Sequence, residues 1–224
     1  MKQLIAFIAL FSAIVCSINL YAQKPTVGYG FKIGINQPLF KANIPVYMDH
    51  LQNDNWFYAG VTADVRFSQK FSFQPEIFWA RSPVILYINN PYAISHEQID
   101  QILLPLLAKY HLGKISFYAG PQISFQAKTT VPGYDPVQGV KKDYDYTDSS
   151  YKKIGFSGVI GIEWVFKYRF GIDARYIVGF SNLRASNGAT DLTYPNNQNV
   201  KIGGVQAGLF FRFGKKYGTK KDDK

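Results

Sequence analysis

From Ile115 the chain alternates strictly: Ile115, Phe117, Ala119, Ile123, Phe125 and Ala127 fall on one side, and Ser116, Tyr118, Gly120, Gln122, Ser124 and Gln126 on the other. A two-residue period is that of a β-strand with unlike faces. An apolar face about 10 residues long, backed by a small or polar one, is what a strand crossing a bilayer needs, because lipid offers no partner to polar side chains or unpaired backbone. Together with the apolar run ILLPLLAKY before it, this strand makes a tight hairpin over 101–126. The same alternation recurs in 27–36, 56–67, 71–81, 154–166, 169–181 and 200–213, so eight strands are predicted. Their apolar rows include Val27, Tyr29, Phe31, Ile33 and Ile35 in the first, and Phe71, Phe73, Pro75, Ile77 and Trp79 in the third.

The connections alternate long and short. Short turns are expected at 68–70, 112–114 and 167–168, and long polar loops at 37–55, 82–97, 128–152 and 182–198. An even strand number with this alternation predicts an all-β fold, an eight-stranded antiparallel up-and-down transmembrane barrel with both termini on the short-turn, periplasmic side. A soluble lipocalin-like barrel would use the same parity with its faces reversed. The second face argues for the membrane, since it carries Lys32, Asp64, Arg66, Glu76, Lys109, Glu163, Asp173, Arg175 and Arg212 among many glycines. These five positive and four negative charges nearly cancel. An eight-stranded barrel is just wide enough for its own side chains, so an ionic network there would plug it; a narrow conduction path is the alternative. Pro75, Pro105 and Pro121 lie within strands, where each removes a ladder donor and is expected to mark a bulge or distortion. Gly203-Gly204 is expected to shift the phase of the last strand, as a bulge does. The fourth strand is apolar on both faces, which leaves its sides unassigned.

Composition sharpens this picture. Aromatic residues make up 17%, with 16 Tyr and 18 Phe, against 18% charged, as in barrels with aromatic girdles. The formal charge is +10, spread over turns and strand ends and densest in the tail 215–224. No strand carries a Lys/Arg stripe, which excludes nucleic acid as a partner, whereas basic ends around apolar bands suit anionic headgroups. Residues 1–22 read as a secretory signal peptide, with Lys2, an apolar core from Leu4 to Val15 and Ala22 before the cut. That core is too short to span a bilayer as a helix. Its removal takes Lys2 and Cys16, the sole cysteine, and leaves +9. The expected domains are therefore the signal peptide 1–22, the barrel 23–213 and a basic, solvated tail 214–224.

Five stretches carry a family resemblance: GFKIGIN, FSFQPEIFWARS, LLPLLAKYHLGKISFYAGPQISF, GVIGIEW and FGIDARYIVGFSNL. In this order the chain resembles the PorT-like outer-membrane β-barrel proteins of the Bacteroidota. The resemblance implies an integral outer-membrane barrel and places the three prolines where the family pattern carries proline. The founding member belongs to type IX protein secretion, and many relatives are barrels without an assigned task; no catalytic residue is carried over. Phe213 in GLFFRF resembles the terminal signal that barrel-assembly machinery reads, here followed by GKKYGTKKDDK.

Little else carries chemistry. His50, His96 and His111 are not at metal-ligand spacing, and there is no HExxH or CxxC, so neither metal nor cofactor is expected. Ser95, His96 and Glu97 could serve a rim hydrolase acting on lipid, but adjacent residues rarely form a triad and loop polar groups are the simpler reading. Asp143, Asp145 and Asp148 offer clustered oxygens without the glycine and glutamate of a calcium loop. With Tyr134, Tyr144, Tyr146 and Tyr151 they make 128–152 a candidate partner-binding loop. The sequence thus points to a non-enzymatic, monomeric outer-membrane barrel, structural or accessory to an envelope or type IX secretion-related assembly. Its expected partners are outer-membrane lipid and lipopolysaccharide, the assembly machinery and envelope proteins. A small porin-like channel and a rim enzyme are the alternatives.

Overall fold

The computed structural model describes residues 26–41, 48–88, 94–135, 140–145, 152–167, 169–182 and 201–213, with side chains over 26–39, 54–83, 98–130, 152–166, 169–182 and 201–213. Ten strands follow one another: β1 (Thr26–Lys41), β2 (Met48–Asn53), β3 (Trp56–Arg66), β4 (Phe71–Ile88), β5 (Ile94–Leu112), β6 (Ile115–Asp135), β7 (Val140–Asp145), β8 (Ile154–Lys167), β9 (Phe170–Gly179) and β10 (Lys201–Phe213). All pairings are antiparallel. Eight strands close a ring in the order β1, β3, β4, β5, β6, β8, β9, β10 and back to β1. Closure leaves the wall no edge, which a β-structure in lipid requires.

Alternation along each strand sorts the wall. Tyr29, Ile33, Val61, Ile77, Phe117, Ile160 and Leu209 are exposed on the outside, while Lys32, Thr62, Glu76, Glu163 and Gln206 are buried inside. Both sides of β5 are now assigned: Leu103, Pro105, Leu107, Lys109 and His111 are buried in the lumen, and Ile102, Leu106, Ala108 and Leu112 are exposed outside. The turn after β3 is held by Ser68, whose Oγ accepts hydrogen bonds from the backbone N–H groups of Lys70 (3.3 Å) and Phe71 (3.0 Å). Between β5 and β6, Gly113 takes φ 64°, a conformation that side chains with a Cβ disfavour.

Several sequence expectations need correction. The predicted loops 37–55, 82–97 and 128–152 are largely strand: β1 runs to Lys41, β4 and β5 reach Ile88 and Ile94, and β6 and β7 fill much of the third. Beyond the ring β2 pairs with β4, and β7 with β6, so β2, β4, β5, β6 and β7 continue together as a sheet on one side. Strand past the bilayer needs no apolar face, so these segments lack the alternation that marks the wall. From Asn53↔Val84 to Tyr58↔Ala80 the β2–β3 line advances one residue more than β4, a bulge that lets β2 extend β3.

The expected phase shift at Gly203-Gly204 is absent. The β1–β10 register passes through Leu39↔Gly203 and Pro38↔Gly204 unbroken, and Ile202 simply faces inward. The expectation of a bulge at the prolines is likewise corrected. The β5–β6 pairing steps from Pro105↔Gln122 to Ala108↔Ala119 without a change of register, and Pro75↔Leu106 and Pro121↔Gly158 also keep register. The prolines interrupt ladders without inserting a residue. A true bulge sits at Ala127, where Gln101↔Gln126 is followed by Asp100↔Lys128. The expected signal peptide over 1–22, the expected tail over 214–224 and residues 183–198 lie outside the described residues.

Candidate functional site

The lumen is built from the inward positions of all eight ring strands, and its charged residues converge from distant parts of the chain. Lys32 on β1 is the hub, with Nζ 2.8 Å from Glu76, 2.8 Å from Glu163 and 3.3 Å from Asp173. Arg175 on β9 reaches Glu76 at 2.7 Å and Asp173 at 2.9 Å. Lys109 and Arg212 each form a short contact with the Glu163 carboxylate. A buried charge is tolerated only when paired and hydrogen-bonded, and these carboxylates meet that condition.

Of the nine charged residues predicted inside, these contacts join Lys32, Glu76, Lys109, Glu163, Asp173, Arg175 and Arg212 directly. Asp64 is attached more loosely, 4.0 Å from Arg212, and neither of its oxygens accepts a hydrogen bond among the described residues. Arg66 belongs to a separate group nearer the short turns. His111 faces Arg66 at 3.3 Å, and its ring nitrogens lie 2.8 Å from Ser72 Oγ and 2.8 Å from Ser116 Oγ.

Neutral residues to which the sequence pattern assigns no role complete the knot. Gln74 donates to Glu76 (2.6 Å) and accepts from Lys109 (2.7 Å). Tyr118 donates to Asp173 at 2.5 Å. Both lie on inward rows, so strand parity is the signal that marks them. Above the knot, Tyr58 packs edge-on against Phe78 at 5.4 Å, with Ala80 and Leu103 beside them. Leu107, Val159 and Ile177 pack with Tyr118. Phe78 also faces the Arg175 guanidinium at 5.1 Å.

Past this apolar layer, toward the long connections, the lumen becomes polar but uncharged. A cavity of about 30 Å³ lies there among Asn36, Ser82, Gln101, Gln122, Ser157 and Gln206. Gln206 donates to Asn36 Oδ1 at 3.0 Å, and Asn36 donates to Arg81 O at 2.9 Å. Gln122 Oε1 and Gln206 Oε1 meet no donor among the described residues. A polar space of this size holds about two waters.

The candidate loop divides in two. Tyr134 falls on β6, and Asp143, Tyr144 and Asp145 on β7, whereas Tyr146, Asp148 and Tyr151 lie outside the described residues. The side chains of His50, Ser95, His96 and Glu97 lie outside them too. Among the described residues no group of three or more His, Cys, Asp or Glu side chains is arranged to hold a metal ion.

A closed wall that is apolar outside and ionic within defines an integral β-barrel of the membrane. The chain belongs to the family described as outer membrane protein beta-barrel domain, whose model matches residues 21–185. No curated protein matches it. Among solved structures it is similar to Neisserial surface protein A, at 14% identity over 84% of this chain and 99% of that one, with a TM-score of 0.51. It is also similar to Ail, the attachment invasion locus protein of Yersinia pestis, at 15% identity over 83% and 99%, with a TM-score of 0.48. OprG of Pseudomonas aeruginosa matches at 12% identity over 85% and 98%, with a TM-score of 0.47.

Proposed function

We propose that this outer-membrane barrel is plugged and non-enzymatic, and serves as a structural or accessory component of an envelope assembly. One observation carries the reading: the side chains of Lys32, Glu76, Lys109, Glu163, Asp173 and Arg175 are each at most 1% exposed, although they fill the middle of a tube. A conducting path wets its charged lining, so ions paired this tightly out of water favour a closed lumen. Function then lies at the two ends, where the sheet beyond the ring or the short-turn side engages another protein. Resemblance to PorT-like barrels of the Bacteroidota favours an assembly related to type IX secretion. In this reading both termini are periplasmic, lipopolysaccharide surrounds the wall, and the barrel inserts through the assembly machinery.

Pull-down from native outer membranes tests it. A repeatable partner is expected, and it is expected to be lost on replacing Tyr134 and Tyr144 together by Ser; recovery of no repeatable protein overturns the reading. A second reading, a small channel, is favoured by the polar cavity among Gln101, Gln122 and Gln206, which is the start of a path. It requires current steps in planar bilayers that change on Glu76→Gln or Arg175→Gln, and silent bilayers end it.

A further inference from the structure

We infer that the outside of the wall carries a phosphate-binding site built from Arg81 and Lys128, and that its ligand is the phosphate of a phosphorylated glycolipid in the surrounding leaflet. The inference rests on the proposed orientation, with the short turns periplasmic. Arg81 on β4 stands opposite Asp100 on β5, and Asp100 opposite Lys128 on β6, so the three form one row across neighbouring strands. Asp100 and Lys128 share the outer face because the bulge at Ala127 reverses the parity of β6, whose even-numbered residues below it face the lumen. Beneath the row the same face presents exposed Ile102 and Phe125. Charge is costly against hydrocarbon, so the row marks the level where acyl chains give way to headgroups.

Arg81 is held in place. Its Nε and Nη2 donate to the Asp100 carboxylate at 2.6 and 2.8 Å, and its Cζ lies 5.5 Å from the ring centroids of both Trp56 and Trp79. A guanidinium has five N–H donors, of which this side-on pair uses two. The far edge, Nη1 with the second hydrogen of Nη2, meets no acceptor among the described residues, and the side chain is 27% exposed. That edge matches two oxygens of a phosphate. Asp100 is neutralised by Arg81, and exposed Lys128 gives the row a net positive charge. The site faces sideways above apolar wall, so its ligand arrives from within the leaflet with acyl chains attached. Indole rings beside it suit the same boundary.

The test uses the purified barrel in mild detergent, with diphosphoryl and dephosphorylated lipid A as probes and bound lipid read by native mass spectrometry. Diphosphoryl lipid A is expected to be retained about tenfold or more above the dephosphorylated form, as loss of a charge-assisted contact implies. Lys128→Gln and Arg81→Lys are expected to lower retention by about tenfold each. Arg81→Lys keeps a cation beside Asp100, and gel mobility of the unheated barrel checks that each variant is folded. Equal retention of the two lipids, or unchanged retention in both variants, overturns the site. Stronger retention of phosphatidylglycerol than of lipid A overturns the glycolipid and assigns the row to a phospholipid leaflet. A barrel that conducts or lacks a protein partner, yet retains lipid A in this way, fails only the reading of a plugged accessory component.

Discussion

Arg175 and Glu76 stand on diametrically opposed strands, four steps apart around the ring in either direction, and their side chains meet at 2.7 Å. Two side chains therefore span the lumen, which ties the ionic pair to barrel closure itself. Removing one member leaves the other buried with only part of its charge compensated, by Asp173 for Arg175 and by Lys32 for Glu76, at a cost of about 3–5 kcal/mol. Glu76→Gln and Arg175→Met are each expected to lower stability by that order in urea titrations of the refolded barrel. The double variant Glu76→Leu/Arg175→Leu is expected to lose less than the sum. Additive losses would show that the pair is not coupled.

The outer face gives a depth-dependent expectation. Ile160 lies mid-strand on β8 and Leu112 beside the Gly113 turn, and both are exposed. Ile160→Arg is expected to destabilise the barrel in lipid by about 2–4 kcal/mol, and Leu112→Arg by about 0–1 kcal/mol. Equal losses would be inconsistent with a bilayer centred on the middle of β8.

Two kinds of glycine separate crowding from backbone conformation. Gly34 and Gly208 face each other across β1 and β10, and a Cβ on Gly208 would come within 2.7 Å of Tyr58 Oη. Gly208→Ala is expected to cost about 1–3 kcal/mol through overpacking. Around Gly113 there is open space, so Gly113→Ala costs only the left-handed conformation, about 1–2 kcal/mol. Gly113→Asn should recover part of that loss, whereas Gly208→Asn should not, and thermal unfolding of the four variants checks both.

Orientation is open to labelling. With Cys16 replaced by Ser, single cysteines at Asp54, exposed beside β2, and at Lys114, exposed in a short turn, mark the two ends of the wall. A membrane-impermeant maleimide is expected to label Asp54→Cys on intact cells and Lys114→Cys only after permeabilisation. The reverse pattern would move both termini to the outside and with them the predicted leaflet of the Arg81 row.

By itself the sequence determined the wall. A strict two-residue period assigns each side chain to a face wherever the faces differ in polarity, as on β6 from Ile115 to Ala127, and short turns tie successive strands into hairpins. It also placed all nine lumen charges on one class of face. Which of them touch was decided only in three dimensions, because Glu76 and Arg175 are 99 residues apart and meet through the order and stagger of eight strands. Where polarity stops distinguishing the faces, pairing decides: Leu103 and Leu107 face inward because β5 is locked between β4 and β6. The same holds for Ile202, an apolar side chain on an inward position beside the polar cavity, which imitates a shift of phase. The Arg81–Asp100–Lys128 row depends on a single bulged residue, Ala127, since one extra residue turns every later side chain to the opposite face.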